Sequence, residues 1–233
     1  MVTLAEKEEV ASGTMAFHFK KPEGFEFKAG QFAKFELADP IETDKEGKER
    51  IFSLAHAPYE KELVIATRMR DTAFKRGLKS LPVGGQIKMS GPYGSFGLHE
   101  GTAPAVFLTG GIGITPVRSM IAQAMQEKRA GKIILIYANR TPQEGVFLGD
   151  LQALAEGNPK FTFVPVMTAA GEQSWNGEKG HINREMLGRY VKDLTEPIYY
   201  LSGPAGMVGA MRELLEQEKV RPEKIKAEEF SGY

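Results

Sequence analysis

The sequence predicts two domains: an N-terminal antiparallel β-barrel over residues 1–100, then an α/β doubly wound parallel-sheet domain over 101–233. Three observations lead there. The first hundred residues carry alternating apolar and polar stretches cut by turn signals. After Gly101-Thr102-Ala103-Pro104, short apolar strands alternate with amphipathic helices. Glycine-rich turns stand at the ends of two of those later strands.

In the first half, Gln31 to Leu37 sets Ala33, Phe35 and Leu37 on one face against Lys34 and Glu36. Leu63, Ile65, Thr67 and Met69 repeat the pattern against Arg68 and Arg70. Turns are expected at Pro22-Glu23-Gly24, Asp44-Lys45-Glu46-Gly47 and Val83-Gly84-Gly85, with one helix near Thr72 to Leu81. In the second half, Val106-Phe107-Leu108 leads to a helix with Val117, Met120, Ile121, Ala124 and Met125 at helical spacing. Ile133 to Tyr137 is a continuous buried strand. A helix over Phe147 to Glu156, a strand over Phe161 to Met167, a helix near Arg184 to Tyr190, a strand over Ile198 to Ser202 and a helix over Ala205 to Glu218 complete a βαβ series.

Composition narrows the function. Thirty Lys plus Arg balance thirty Asp plus Glu, which removes the global positive field that nucleic-acid or anionic-membrane binding needs. The absence of cysteine excludes disulfides, thiol nucleophiles, Cys-ligated iron–sulfur clusters and thiolate zinc sites within these 233 residues. No apolar run nears the ~18 residues of a membrane span. The acidic N-terminus has no apolar core of a signal peptide, so a cytoplasmic protein is expected. His18, His56, His99 and His181 are scattered with no i, i+4 pair, and no metal site is expected.

Three segments carry chemistry. Thr109-Gly110-Gly111-Ile112-Gly113-Ile114-Thr115-Pro116 lies between a strand and a helix, where glycines admit a pyrophosphate to the backbone and the helix N-terminus faces its charge. Alone, it equally suits a tight β-to-α connection. Arg50-Ile51-Phe52-Ser53, with Thr67-Arg68-Met69 and Gly91-Pro92-Tyr93-Gly94-Ser95-Phe96, offers a ring, a hydroxyl and a guanidinium suited to a flat, phosphorylated heterocycle. Alone, Phe52 reads as a core residue and Arg50 as a solvated strand end. Tyr200-Leu201-Ser202-Gly203-Pro204-Ala205-Gly206-Met207 opens another helix at the sheet edge where α/β folds bind ligands, or is a structural turn.

In this order, over nearly the whole chain, the motifs resemble the ferredoxin–NADP reductase superfamily. The resemblance implies that Arg50 contacts a flavin phosphate, Phe52 stacks on the isoalloxazine and Ser53 bonds near N5. Thr67, Arg68 and Met69 would lie along the ring edge, with His56 the one histidine near the flavin. Thr72-Ala73-Phe74-Lys75 matches the family's pyrophosphate helix, with Ala73, Phe74 and Lys75 where Gly and Ser are common. Gly110, Gly111, Gly113 and Thr115 would hold the nicotinamide dinucleotide pyrophosphate, Thr115 as a hydroxyl donor, and Asn139 and Arg140 would meet the ribose. Ser202, Gly203 and Pro204 resemble the Cys-Gly-Pro turn beside the nicotinamide, with serine replacing cysteine. Phe230, or secondly Tyr233, would cover the flavin, and Glu229 would relay a proton or remain a surface acid.

The implied activity is an FAD-dependent NAD(P)H oxidoreductase, FMN being possible in place of FAD. Hydride would pass from nicotinamide to flavin, and electrons onward to a separate redox-protein or small-molecule acceptor. Without cysteine, these residues hold no fused [2Fe–2S] cluster of the kind that many relatives carry. The alternatives are a reductase using free flavin as substrate and a non-catalytic interaction module, the latter opposed by the presence of Arg50, Phe52, Ser53 and the Gly110 turn. NADPH is favoured slightly over NADH because Arg140 is present and no carboxylate stands at 139 or 140. Arg68, Arg70, Lys75, Arg76 and Lys79 form a basic stretch that suits an acidic partner or a solvated face. The sequence leaves the acceptor and the oligomeric state open.

Overall fold

The computed structural model describes residues 1–38, 40, 42–169 and 175–230; Tyr233 lies outside the described residues. The first sheet uses residues 2–93. Strands β1 (Val2–Ala11) and β2 (Thr14–Lys20) form a hairpin through Gly13, whose φ of +66° needs no Cβ. Then come β3 (Phe32–Glu36), β4 (Glu49–Ser53), β5 (Glu62–Arg68), helix α1 (Ala73–Ser80) and β6 (Gln86–Tyr93). The sheet runs β4-β3-β6-β1-β2-β5, every pair antiparallel. A 2.8 Å bond from the Ala55 N–H to the Val64 carbonyl ties the chain leaving β4 to β5, bringing the two edges together as a barrel. Alternation places Phe17, Phe19, Phe35, Leu63 and Ile65 inside, and Phe74 and Leu78 of α1 complete that core.

The second sheet is parallel and ordered β10-β9-β8-β7-β11-β12. It comprises β7 (Ala105–Gly110), β8 (Ile133–Asn139), β9 (Phe161–Met167), the short β10 (Glu178–Lys179), β11 (Ile198–Pro204) and β12 (Ile225–Phe230). Helices α2 (Ile114–Gln126) and α3 (Leu148–Glu156) cover one face. Helices α4 (Arg184–Tyr190) and α5 (Ala205–Gln217) cover the other, with Met186, Leu187, Val208, Met211 and Leu215 in its core. This is the predicted doubly wound fold. From β7 the chain proceeds to β8, β9 and β10 on one side, while β11 and β12 lie on the other, so the switch in strand order falls between β7 and β11. Ligands of open α/β sheets bind beyond the strand ends at such a point.

The two sheets share an interface. Ala16, Val64 and Ala66 of the barrel pack in one cluster with Ile114, Val117 and Ile121 of α2. Within that contact Arg118 is only 7% exposed. It pairs with Glu60 of the barrel and with Asp150 of α3, the latter at 2.8 Å, while the Ser119 hydroxyl donates to the His56 carbonyl at 2.7 Å. His56 faces this interface beside His18, with ring centroids 5.8 Å apart. Burial, reinforced by Arg118 and His18 and opposed by Glu60, pushes His56 down to about 4.

Candidate active site between the barrel edge and two glycine turns

The two glycine turns predicted at strand ends meet at the switch point. Gly111–Gly113 form a 3-10 turn after β7, and β11 runs beside it. A Cβ added to Gly113 would stand 2.5 Å from the Ser202 carbonyl oxygen and 2.7 Å from the Gly203 Cα, so only glycine allows the two backbones this close. The Ser202 hydroxyl is fully buried and donates to the Gly113 carbonyl at 2.8 Å. Its proton is thus committed to joining the turns. Thr115 is equally committed: its buried hydroxyl donates to the Ile112 carbonyl at 3.0 Å instead of pointing outward as a pyrophosphate donor.

Beyond these turns opens a cleft of about 600 Å³, lined by Gly110, Gly111, Asn139, Arg140, Pro204 and, from the barrel, Arg68. Asn139 is 4% exposed, and neither its amide nitrogen nor its oxygen has a partner. A buried amide with donor and acceptor both unspent is costly unless a ligand completes it. Thr109, which opens the glycine motif and has no role assigned by the sequence, likewise has a buried, unpartnered hydroxyl. Arg140 lies exposed at the rim and pairs with no carboxylate among the described residues. Gly203 packs against Gly110, whose own Cβ would first meet the flexible end of Met207 and then Pro204 Cδ at 3.2 Å.

The barrel side gathers the remaining predicted residues. Ser53 and Thr67 are buried, and Phe52, Arg68 and Met69 are half-buried. The Phe52 ring lies 5.9 Å from those of Phe35 and Phe74. Phe74 is 1% exposed and belongs to the barrel core, so its ring is not available to a ligand. Arg50 is no solvated strand end: its guanidinium lies over the Phe74 ring at 5.3 Å and contacts the carboxylates of Asp44 and Glu46 at 3.1 and 3.0 Å. Asp44 also accepts from the Ala73 N–H at the start of α1, at 3.1 Å. Arg50 and this helix terminus therefore hold an anion, the chemistry that a flavin phosphate requires. Lys75 is half-buried and donates to the Arg68 carbonyl at 2.7 Å.

The basic stretch is only partly neutralised: Arg76 pairs with Glu42 and Asp71, and Arg68 with Glu144 at 3.2 Å, while Lys75 donates to a carbonyl and Arg70 and Lys79 are exposed.

At the C-terminus, strand parity separates two neighbouring glutamates. β12 pairs with β11 so that Glu228 stands beside Ser202 and Phe230 beside Pro204. Ile225 and Ala227 pack into the core on the α5 side, whereas Lys226 reaches Gly97 and the Tyr200 ring on the opposite face. Glu228 and the half-buried Phe230 share the Lys226 face. Glu229, the predicted relay, points the other way and is exposed. Glu228 has a buried, unpartnered carboxyl oxygen, and burial pushes it up to about 7.

This carboxyl gives stability a pH dependence. Between about 4.5 and about 7 the folded chain holds a proton that the unfolded chain has released, so stability from Glu228 falls as pH rises through that window. His56 acts oppositely, its depressed value adding stability as pH rises from about 4 to its unfolded value near 6.5. Glu228→Gln is therefore expected to remove only the falling component. The check is Tm against pH for both proteins. The gap between them must widen in favour of the variant from pH 5 to 7.

A barrel set against paired glycine turns at a parallel-sheet switch point defines the two-domain architecture. Residues 107–213 match the family described as Oxidoreductase NAD-binding domain. One component of the Na(+)-translocating NADH-quinone reductase from Idiomarina loihiensis is 31% identical over 219 residues, covering 87% of this chain and 54% of that protein. The reductase component of a propane 2-monooxygenase from Rhodococcus jostii is 30% identical over 221 residues, covering 91% and 58%. The chain thus spans somewhat more than half the length of these curated relatives. Among solved structures, the flavohem-like FAD/NAD binding domain of a Vibrio cholerae nitric oxide dioxygenase has a TM-score of 0.84 at 19% identity, covering 98% of this chain and 97% of that one. A ferredoxin NADP+ reductase from Neisseria gonorrhoeae, with bound FAD and NADP, has a TM-score of 0.77 at 23% identity, covering 98% and 97%. The whole chain has the two-domain fold of the ferredoxin–NADP reductase structures, with the oxidoreductase NAD-binding family matched over 107–213.

Among the described residues no helix is long and apolar enough to cross a membrane, and no group of three or more His, Asp or Glu is placed to hold a metal ion.

Proposed function

We propose that this chain is an NAD(P)H oxidoreductase that binds FAD on its barrel, residues 1–100, and nicotinamide dinucleotide on residues 101–233, passing electrons to a separate acceptor. The observation that carries the reading is the cleft itself. Asn139, buried with both amide atoms unspent, shares one cavity with the glycine turn and with Arg68 of the barrel edge. That geometry supports a dinucleotide laid from the sheet toward the barrel. A bound flavin would supply the hydride acceptor at its N5.

The chain's own residues bind and orient. Arg50 and the Ala73 N–H take phosphate, Phe52 offers a stacking face, Ser53 offers a hydroxyl, and Thr67, whose own hydroxyl donates to the Arg68 carbonyl at 3.4 Å, lines the ring edge. Asn139 fixes the dinucleotide, while Ser202 and Gly113 keep the two turns in contact beneath it. Phe230 covers the site from the C-terminal strand, and Glu228, protonated below about 7, holds a proton on the same face. Arg140 at the rim reads a 2′-phosphate, which is the basis for preferring NADPH.

The test is steady-state reduction of ferricyanide by NADPH and by NADH with flavin-loaded protein. Turnover must depend on flavin. Arg140→Ala is expected to raise the KM for NADPH about tenfold, the loss of one charge-assisted phosphate contact, and to leave that for NADH within about twofold. Equal effects on both nucleotides would remove Arg140 from the 2′ position, and flavin-independent turnover would overturn the reading.

A further inference from the structure

The anion-holding end of the barrel is filled by a side chain of the protein itself. Asp44 lies in the turn joining β3 and β4. One carboxyl oxygen accepts from the Glu46 N–H at 3.0 Å and from Arg50 at 3.1 Å. The other accepts from the Ala73 N–H at 3.1 Å and from Arg50 at 3.3 Å. A single carboxylate thereby satisfies both a guanidinium and the first turn of an eight-residue helix 29 positions away in the chain. Arg50 donates further to the carbonyls of Glu46, Gly47 and Glu49 at 3.0, 3.0 and 2.7 Å, and pairs with the Glu46 carboxylate at 3.0 Å. Burial alone would raise Asp44, but Arg50 and the two N–H groups outweigh it and hold the carboxyl below its ordinary value.

We propose that Asp44 is an internal competitor for the flavin phosphate: the turn that carries it latches onto Arg50 and the α1 N-terminus, and a phosphorylated flavin binds only by displacing it. The proposal rests on the flavin reading above and adds to it how tightly flavin is kept. A carboxylate and a phosphate oxygen ask for the same donors, and both cannot be served by one N–H and one guanidinium edge. The latch can also leave. The Asp44 and Glu46 side chains are 28% and 59% exposed and can turn into solvent, which would free Arg50 and the Ala73 N–H for the incoming phosphate. A ligand that must first open a latched form binds more weakly by the fraction of molecules already open. A latch closed in about nine molecules of ten costs about tenfold in apparent Kd. On this account the chain exchanges flavin with solution instead of retaining it permanently.

The experiment titrates the full chain, freed of flavin, with FAD, FMN and riboflavin, following flavin fluorescence, for the wild type and for Asp44→Asn. Asparagine keeps the acceptor for the Glu46 N–H and removes the charge that competes with phosphate. FAD and FMN are expected to bind about tenfold more tightly to the variant, and riboflavin, which has no phosphate, equally to both. Asp44→Ala, which removes the whole carboxylate, must give the same ordering. Should FAD and riboflavin bind with FAD no tighter in either variant, Asp44 is not a competitor and the flavin reading stands. Should neither protein bind any flavin, the flavin reading fails and the proposal falls with it.

Discussion

Gly113→Ala is expected to lower nicotinamide affinity at least about tenfold and to destabilise the fold by about 1–3 kcal/mol, the usual cost of forcing a methyl into a packed contact. The added Cβ would lie 2.5 to 2.7 Å from backbone atoms of Ser202 and Gly203, and backbone on both sides leaves nothing flexible to yield. The turns must part, which breaks the 2.8 Å bond from the Ser202 hydroxyl to the Gly113 carbonyl. Gly110→Ala is the internal control, because its nearest obstacle is the end of the Met207 side chain. Isothermal titration with NADPH and thermal melts of both variants check the pair. Similar losses from both substitutions would show that the turns are not held by their mutual approach.

Arg118→Ala is expected to cost about 3 kcal/mol, within the range for removing one partner of a buried ion pair, and to lower Tm by roughly 6–12 °C. Its guanidinium side chain is 8% exposed between Glu60 at 18% and Asp150 at 51%, so deletion leaves the Glu60 carboxylate part-buried and unpaired by it. The Ala57 N–H, which donates to the same Glu60 carboxylate, remains, with the His56 ring 4.0 Å away. The loss falls at the contact between the two sheets, so kcat for hydride transfer should drop with Tm. Arg118→Met, which restores bulk without charge, is expected to recover little of it while Glu60 stays, and more of it with Glu60→Gln. Chemical denaturation of the single and double variants checks this. An additive double variant would deny that the pair couples the domains.

What can be read from the chain alone follows from where the physical signal lies. The central parallel strands are plain because burial on both faces leaves a continuous apolar run, as in Ile133 to Tyr137. The β1–β2 hairpin gives no such signal. Its first strand carries Glu6, Lys7, Glu8 and Glu9, and its burial rests on Val2 and Leu4 with pairing to β2 and β6. Strand β12 is hidden for the same reason. Ile225 to Phe230 has two charged residues on one face and one on the other, and an edge strand shows no strong alternation. Without that strand the sequence offers no ground for preferring Glu228 to Glu229, since only a strand's parity tells which of the two turns inward.

The site is legible as a set of motifs and illegible as a set of bonds. Arg50 lies in β4, and Gly110, Gly113, Asn139 and Ser202 lie at or beside strand ends, while the hydroxyls of Ser202 and Thr115 are spent within the protein. Asp44 shows in the sequence only as a turn residue because its partner Ala73 lies 29 positions away. Arg118 gives a faint signal, a cation inside the apolar stripe of Val117, Met120 and Ile121, which periodicity counts discard.

Hydride transfer from nicotinamide to a flavin held on the barrel is read in the visible spectrum of flavin-loaded protein under anaerobic conditions, before and after one equivalent of NADPH or NADH. The oxidised flavin band is expected to bleach on mixing with at least one nucleotide, and faster with NADPH. A band that persists with both, in protein that binds both, would mean that no hydride passes to the flavin.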